Sequence, residues 1–198
     1  MACCGLGPSF NAMQRMRVDG YDTVLVTGLG PVGLGAVVNG VVRGARVLAV
    51  EANEYRANLA REIGAAKVLD PRDPEVLAQI RSLTGGKGVD KAVDCAGVPP
   101  AQRLMVDAVR RRGEVAFVAE GGEFTFKVSN DLIRKGITIH GIWHWNLTDT
   151  PRMWETIRRA APLLDLQITH RLPMSRVHDA WELQTTGNCG KIILHPWD

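Results

Sequence analysis

Short apolar runs bounded by turn residues alternate with segments of helical periodicity along the first three quarters of the chain. The apolar runs predict six strands, at 23–27, 46–51, 66–69, 90–95, 114–119 and 137–143. Helical patterns lie between them, at about 31–43, 53–63, 74–83 and 99–111. Most of the strands are apolar throughout, as in a parallel sheet that helices cover on both faces. The pattern therefore predicts an α/β fold with a doubly wound parallel sheet of the Rossmann type.

The pattern changes after about residue 145. A helix near 151–163 opens with Pro151, which suits a first helical position. An extended piece (ITHRLP), a helix near 175–186 and a final apolar strand (GKIILHP) follow. We expect this α+β tail to belong to a different structural unit. The first residues are apolar with no lead-in, and we expect the chain to be a truncated one.

Composition and charge exclude several classes of function. The net charge is only +3 and evenly spread, which argues against a nucleic-acid partner. The one dense basic cluster, Arg110-Arg111-Arg112, is expected at a helix end, where cations interact favourably with the helix dipole. No apolar run is long enough to span a membrane.

The four cysteines, at positions 3, 4, 95 and 189, have no C-x-x-C spacing, so we expect neither a disulfide framework nor a self-contained zinc site. The sequence also lacks the features of a signal peptide at its N-terminus. We therefore expect the protein in the reducing cytoplasm.

A glycine-rich loop follows the first strand directly and opens the first predicted helix of the sheet. Its sequence is Gly28-Leu29-Gly30-Pro31-Val32-Gly33, the G-x-G-x-x-G pattern of dinucleotide-binding proteins. Gly28 is expected to make the tight turn, Gly30 to let the backbone approach a pyrophosphate, and Gly33 to let helix and strand pack closely. Free N–H groups at the helix start would then meet the phosphates, although Pro31 removes one of those donors.

The second predicted strand ends in an acid, Glu51, about twenty residues beyond the loop. A carboxylate there accepts hydrogen bonds from the adenosine ribose hydroxyls of NAD. In NADP one hydroxyl carries a phosphate, and two like charges about 4 Å apart at an effective dielectric near 20 repel by roughly 4 kcal/mol. Ala52 stands where an NADP enzyme usually has an arginine. The cofactor predicted is NAD.

Several motifs together resemble the zinc-type medium-chain alcohol and polyol dehydrogenases. They are Ala2-Cys3-Cys4-Gly5, GLGPVG, Val50-Glu51, the run from Arg61 to Ala65, the run from Val89 to Gly97, and the closing Gly190-Lys-Ile-Ile. The resemblance covers the whole chain but only the C-terminal part of the family's length. It implies three parts: residues 1–16 as the edge of a missing catalytic domain, 17–145 as the NAD-binding domain, and 146–198 as the C-terminal part of the catalytic domain.

The resemblance also assigns roles to individual residues. In the family, a cysteine just before the Rossmann domain is a ligand of the catalytic zinc; Cys4 matches that position best and Cys3 competes with it. The cofactor contacts that carry over are Arg56 at the adenosine ribose, Ala96 and Gly97 beside the adenine, Val118 and the segment Ile142–His144 at the nicotinamide carboxamide, and Lys191 at the pyrophosphate. Lys191 is equally well explained as a solvated strand-edge lysine.

The departures from the family limit what this chain is expected to do. The other zinc ligands of the family are absent, and His140 and His144 lie too far along the sheet to replace them. Catalytic zinc needs three protein ligands, so zinc is expected only in the full-length enzyme. We expect the chain alone to bind NAD without turning over a small alcohol substrate, which the sequence does not identify. Trp143 and Trp145 are candidates for the substrate pocket, an interface or the core.

The family forms dimers across its sixth strand, so a homodimer through residues 137–143 is expected.

The sequence also bears on four classes of protein that are alternatives to this family. Val32 argues against the G-x-G-x-G loop of a methyltransferase, and neither Tyr21 nor Tyr55 begins the Y-x-x-x-K of a short-chain dehydrogenase. A zinc-free NAD(P)H quinone or enoyl reductase of the same superfamily, and a non-catalytic nucleotide-binding module, stay open as alternatives.

Overall fold

The secondary structure of the computed structural model, which describes residues 2–197, has seven α-helices and eight strands within that range. In chain order the elements are a π-helical turn (Ala2–Leu6), α1 (Gly7–Arg15), β1 (Thr23–Thr27), α2 (Pro31–Val42), β2 (Arg46–Val50), α3 (Glu54–Ile63), β3 (Lys67–Leu69), α4 (Val76–Leu83), β4 (Val89–Asp94), α5 (Pro99–Ala108), β5 (Val109–Phe117), a π-helical turn (Val128–Ile133), β6 (Thr138–Gly141), a 3₁₀ turn (Leu147–Asp149), α6 (Thr150–Gln167), β7 (Ile168–Pro173), a 3₁₀ turn (Met174–Arg176), α7 (Val177–Thr186) and β8 (Lys191–His195).

Strands β1 to β6 form one sheet in the order β3-β2-β1-β4-β5-β6, and every pair in it is parallel. The chain thus moves outward from β1 to one edge and then returns to build the other half. This order is that of a doubly wound fold, and it confirms the predicted fold class. The reversal between β1 and β4 opens a crevice at the carboxyl ends of these strands, where such sheets bind ligands.

Alternate residues of the strands face two separate cores. Val24 and Val26 of β1 pack in a cluster with residues of α1, α2, α3 and α6, whereas Leu25 packs with residues of α4 and α5 on the other face. All three valine and leucine side chains are fully buried. Because side chains of a strand alternate between faces, an apolar run without polar breaks requires helices on both sides.

Helices α1 and α6, which precede and follow the six strands in the chain, share the core of the sheet. Phe10 and Met13 of α1, and Met153 and Leu164 of α6, are buried in the same cluster as α2. Strands β7 and β8 form a separate two-stranded parallel sheet. The divisions at 16/17 and 145/146 are therefore not breaks in packing, and the three-part domain division stays a prediction. Met1 and Asp198, at the ends of its outer parts, lie outside the described residues.

The boundary between α5 and β5 differs from the prediction. The predicted helix 99–111 ends at Ala108, because Val109 adopts an extended conformation (φ −67°, ψ 139°) and pairs with Val89 of β4. The basic cluster Arg110–Arg112 therefore belongs to β5, and its interpretation as a helix end is wrong. The sixth strand is also shorter than predicted, Thr138–Gly141 instead of 137–143, although it does lie at the edge of the sheet.

The two helices predicted in the tail differ in length from the observed helices α6 and α7. The helix expected near 151–163 is α6, which spans residues 150–167 and continues through Pro162. The extended ITHRLP segment is β7, and the final apolar run is β8. Among residues 2–197, no helix combines the length and the apolar character needed to cross a bilayer.

Candidate functional site

The glycine loop joins β1 to α2. The structural reason for glycine differs among its three glycine positions. Gly28 has φ +79°, and a Cβ atom there would lie 2.8 Å from the Cα atom of Ala96. A Cβ atom on Gly33 would overlap the carbonyl oxygen of Gly28. Gly30 has φ −62°, and a Cβ atom there would meet nothing within 4 Å. Gly28 and Gly33 are thus required by the fold, whereas Gly30 keeps the backbone open toward solvent.

Helix α2 begins immediately after this open glycine. Gly30 is its N-cap residue and Pro31 its first residue, where the missing N–H costs no helical hydrogen bond. The remaining N–H groups of the first turn have no acceptor within the helix, so this end favours an anion. The carbonyl of Pro31 accepts a hydrogen bond of 2.6 Å from the Gln167 side chain at the end of α6, which ties the tail to the loop.

Glu51 follows β2 directly and holds the loop through its carboxylate. One oxygen accepts a hydrogen bond of 2.6 Å from the N–H of Leu29, and the other accepts bonds of 2.9 Å each from the N–H groups of Ala52 and Asn53. A carboxylate offers about four acceptor positions, so roughly one remains for a ligand hydroxyl. Glu51 is half-buried and lines the cavity next to the loop.

That cavity, of about 620 Å³, lies at the carboxyl ends of β1, β2 and β4. Gly28, Glu51 and Ala96 line it, and its walls are otherwise largely apolar. Its volume is in the range of pockets that bind small molecules or cofactors. Arg103 also lines it, but Asp107 binds that guanidinium with two hydrogen bonds of 2.9 and 2.6 Å.

The turn after β4 is organised by Asp94, a residue whose role the sequence did not reveal. Its buried carboxylate accepts hydrogen bonds from the N–H groups of Ala96 (3.0 Å) and Gly97 (3.2 Å), and from the side chains of Thr27 (3.2 Å) and Gln102 (3.1 Å). Ala96 lines the cavity, and its predicted place beside the adenine stays a prediction. Gly97 has φ +70° and packs against the carbonyl of Glu120, and it does not line the cavity.

A second cavity, of about 280 Å³, lies on the other side of the loop. Among its lining residues are the predicted Cys4, Val32, Val118 and His144, together with Trp143, Cys95 and Glu120. Cys4 is exposed, whereas burial raises the pKa of the Cys95 thiol far above its usual value, and the neighbouring Asp94 carboxylate adds to this effect. Four residues that the resemblance assigned to cofactor or zinc, from distant parts of the chain, therefore line one cavity, and their assigned roles stay predictions.

The two histidines that were expected to lie too far along the sheet to replace the missing zinc ligands have different positions. His140 lies on β6 and its Nε2 atom is 2.7 Å from Glu114 on β5. His144, held with φ +48° and with its carbonyl bonded to Asn11, lines the same cavity as Cys4. Cys4 and His144 thus share a cavity, and the expectation that neither histidine replaces the missing zinc ligands stays a prediction. Even so, no group of three or more His, Cys, Asp or Glu side chains in residues 2–197 is arranged to hold a metal ion.

Outside the glycine loop, four predicted cofactor residues line neither cavity: Gly97, described above, and Ile142, Arg56 and Lys191. The N–H of Ile142, which is buried, donates to the carbonyl of Phe117. Arg56 donates from Nε to the carbonyl of Cys189, at 3.4 Å, which directs it to the tail segment. Lys191 is the first residue of β8 and pairs with Ile168. Of the two tryptophans, Trp143 lines the second cavity and Trp145 packs against the core.

Comparisons with known proteins relate this arrangement to a family. The profile of a family described as zinc-binding dehydrogenase matches residues 31–159. The chain is 33% identical to an uncharacterized zinc-type alcohol dehydrogenase-like protein of Escherichia coli, over 97% of this chain and 55% of that protein. It is also 33% identical to an L-threonine 3-dehydrogenase of Caldanaerobacter subterraneus, over 88% of this chain and 51% of that protein. The chain therefore spans about half the length of the curated relatives it matches.

Solved structures show the same similarity. An alcohol dehydrogenase of Thermotoga maritima superposes with a TM-score of 0.86 at 31% identity, over 96% of this chain and 54% of that chain. The 2R,3R-butanediol dehydrogenase of Bacillus subtilis superposes with a TM-score of 0.84 at 25% identity, over 96% of this chain and 55% of that chain.

Proposed function

Because the chain belongs to the zinc-binding dehydrogenase family, we propose that it is the NAD-binding portion of an alcohol or polyol dehydrogenase. The observation that carries the proposal is that the open backbone at Gly30 and the Glu51 carboxylate lie on either side of Leu29. The open backbone of Gly30 lies beside Leu29, whose N–H binds the Glu51 carboxylate. The hydrogen bond between Leu29 and Glu51 would thus hold the proposed pyrophosphate site at Gly30 beside the proposed acceptor of the ribose hydroxyl, Glu51.

The residues present fit a dinucleotide. The larger cavity, with Glu51 and Ala96, would take the adenosine half, and the smaller cavity, with Val32, Val118 and His144, would take the nicotinamide half. The glycine loop contributes to both cavities and would hold the pyrophosphate between them. When bound, NAD accepts a hydride from the carbinol carbon of an alcohol. This chain's own residues bind and orient the cofactor for that transfer.

The described residues do not by themselves fit a catalytic zinc ion, which needs three protein ligands. We propose that Cys4 supplies one ligand in a full-length enzyme. We further propose that the 198-residue chain binds NAD without oxidising alcohols, since no step of proton removal from the alcohol can be assigned to its residues. With ethanol or sorbitol, NAD reduction should stay at background with or without added zinc. Robust, saturable reduction would contradict this part of the proposal.

The relative affinity for NAD and NADP tests the central part of the proposal, which is the assignment of NAD as the cofactor. Titration calorimetry with NAD and NADP should give an affinity at least about tenfold higher for NAD, because the carboxylate of Glu51 repels a ribose phosphate. Glu51→Gln keeps the shape and one acceptor oxygen but removes the charge. It should therefore reduce the difference between the affinities for NAD and NADP. Glu54→Ala, three residues later on α3 and largely exposed, serves as the matched control and should leave this difference unchanged. Equal affinities in the unmutated chain would refute the assignment of NAD.

A further inference from the structure

A cavity of about 330 Å³ lies at the amino ends of β4 and β5, at the opposite end of the sheet from the glycine loop. Five basic side chains line it: Arg81, Lys87, Arg110, Arg111 and Lys135. Among residues 2–197, Asp107 is the only acid in the lining. This cavity is hereafter called the basic cavity.

Most of the positive charge in the basic cavity is not neutralised. The single acid, Asp107, binds Arg103 through both of its oxygens, at 2.6 and 2.9 Å. Arg110 pairs with Asp90 at 2.6 Å. Within residues 2–197, Arg81 and Lys87 form no ion pair and no side-chain hydrogen bond, and both residues are exposed. At least two cations are therefore available to a ligand.

Lys135 is the partly buried cation of the basic cavity. Burial lowers the pKa of its ammonium group, and the like charges of Arg103 and Arg81 add to the lowering, although the carboxylates of Asp107 and Asp131 act in the opposite direction. Its Nζ atom donates to the carbonyl of Val106 at 2.6 Å, near the end of α5. One or more of its three donors remain free for an anion.

Helix capping accounts for only part of this arrangement. Cations at helix C-termini interact favourably with the helix dipole, which explains Lys135 at the end of α5. Arg110 and Arg111, however, lie on a strand, and the Lys87 side chain is beyond the end of α4 and binds no carbonyl. Arg110 pairs with Asp90, and Arg111 donates to the carbonyl of Arg134 at 3.2 Å. Within residues 2–197, Lys87 has no such local partner, and neither has Arg81.

We propose that the basic cavity binds a small anion that carries a diphosphate group. The planar guanidinium groups of arginine match phosphate oxygens with paired hydrogen bonds, and lysine adds a point charge. The volume of about 330 Å³ suits a compact ligand of this kind. The net charge of only +3 for the whole chain does not favour an extended nucleic acid. Asp107 lines both the basic cavity and the larger cavity of the proposed NAD site, but the basic residues of the basic cavity line neither half of that NAD site, so the proposal does not depend on it.

The experiment uses calorimetric titration of pyrophosphate into the Gly30→Val chain, in which the glycine loop can no longer bind phosphates. The double variant Arg81→Gln/Lys87→Gln in the same background removes the two unpaired cations and should weaken binding at least about tenfold, which corresponds to ~1.4 kcal/mol. The control Lys67→Gln/Arg171→Gln removes one exposed lysine and one exposed arginine outside the cavity. It should change the affinity less than about twofold if the effect is local.

The outcomes separate the proposal from a general charge effect. Orthophosphate should bind much more weakly than pyrophosphate, and circular dichroism should show all variants folded. Uridine diphosphate, titrated in parallel, shows by its relative affinity whether the ligand is a free or an esterified diphosphate. Absence of pyrophosphate binding to the Gly30→Val chain, or equal weakening in the two double variants, would overturn the proposal.

Discussion

The glycine loop shows how far single residues could be interpreted from the sequence. The spacing of Gly28, Gly30 and Gly33 predicted a dinucleotide turn, and the structure gives each glycine a separate reason. Two of them are sterically required by the fold. The third, Gly30, has an ordinary φ of −62° and open space around it, so nothing within the described chain requires glycine there. A ligand that approaches the backbone closely would supply the missing reason.

This difference leads to a matched pair of variants. Gly30→Val should leave the melting temperature close to that of the unmutated chain and abolish the change in NADH fluorescence on binding, because the side chain fills the space of the pyrophosphate. Gly33→Val should lower the melting temperature by several degrees, since it collides with the Gly28 carbonyl. Retained NADH binding by Gly30→Val would contradict the placement of the phosphates.

Other residues show where sequence reasoning ended. Asp94 stands in a motif that the sequence singled out, yet its role depends on four donors from three separate segments, which no local pattern reveals. Conversely, Arg56 and Lys191 were assigned to the cofactor by resemblance. The packing of the tail directs Arg56 to Cys189, and Lys191 begins a strand of the small sheet. The sequence does not show these tertiary contacts, and the cofactor roles of Arg56 and Lys191 stay predictions.

The four free cysteines should differ sharply in reactivity. At pH 8, iodoacetamide should label the exposed Cys3 and Cys4 in the folded chain and leave Cys95 and Cys189 unlabelled. Burial raises the pKa of Cys95, so its thiol stays neutral at this pH, and only the thiolate is nucleophilic. Peptide mass spectrometry measures the labelling, and denaturation in urea should expose all four. Labelling of Cys95 as fast as Cys4 would show that the second cavity admits solvent to that thiol.

At the scale of elements, periodicity located every strand and helix of the six-stranded sheet, most of them to within one or two residues. The exception is the start of β5. Arg110–Arg112 continued the helical pattern of α5 in sequence, but the pairing of Val109 with Val89 begins the strand earlier. The periodicity did not predict the α1 helix, which lacks a side-chain cap. Its position is explained by burial of Phe10 and Met13 against α2.

Asp90 connects three strands, and its replacement should be costly. Its carboxylate accepts the N–H of Thr23 (2.7 Å) at the start of β1 and pairs with Arg110 (2.6 Å) on β5. Asp90→Asn should lower the free energy of unfolding by about 1–2 kcal/mol at pH 7, the range for a partly exposed charged hydrogen bond. Urea titration measures the change. Asp70→Asn, which breaks an exposed pair with Arg72, is the control and should have little effect.

The same variant should reveal a dependence on pH. Burial pushes the pKa of Asp90 upward, but the bonds from Thr23 and Arg110 outweigh it and hold this pKa below its usual value of 3.8. A lowered pKa in the folded state contributes stability above the pKa of the unfolded chain, and this contribution is lost as the pH falls below it. The difference between the unmutated chain and Asp90→Asn should thus be constant from pH 7 to 5 and shrink below about pH 4. A difference that grows in acid would contradict this sign.

At the scale of the whole molecule, the sequence predicted two units, and the structure shows how closely they are joined. Helix α6 was expected to belong to another unit, yet Met153 and Leu164 are buried in the core that covers one face of the sheet. Gln167, at its end, binds the Pro31 carbonyl at the phosphate loop. Periodicity could predict the helix but not its docking site, because that depends on which surface of α2 is left open. The tail therefore contributes to the geometry of the loop.

Assembly is the last property that the sheet suggests. Strand β6 ends the order of strands, so one of its edges pairs with β5 while the other pairs with no strand in residues 2–197. Ile139 at its centre is 37% exposed. An exposed apolar edge can pair with a second copy of itself about a two-fold axis, and we propose such a homodimer.

Light scattering at micromolar concentration should give the mass of two chains, and Ile139→Lys should give the mass of one, because a charge on the edge opposes pairing. Leu166→Lys, on α6 and 41% exposed, is the matched control and should remain a dimer. A single-chain mass for the unmutated protein, or a dimer that survives Ile139→Lys, would place the association elsewhere than β6.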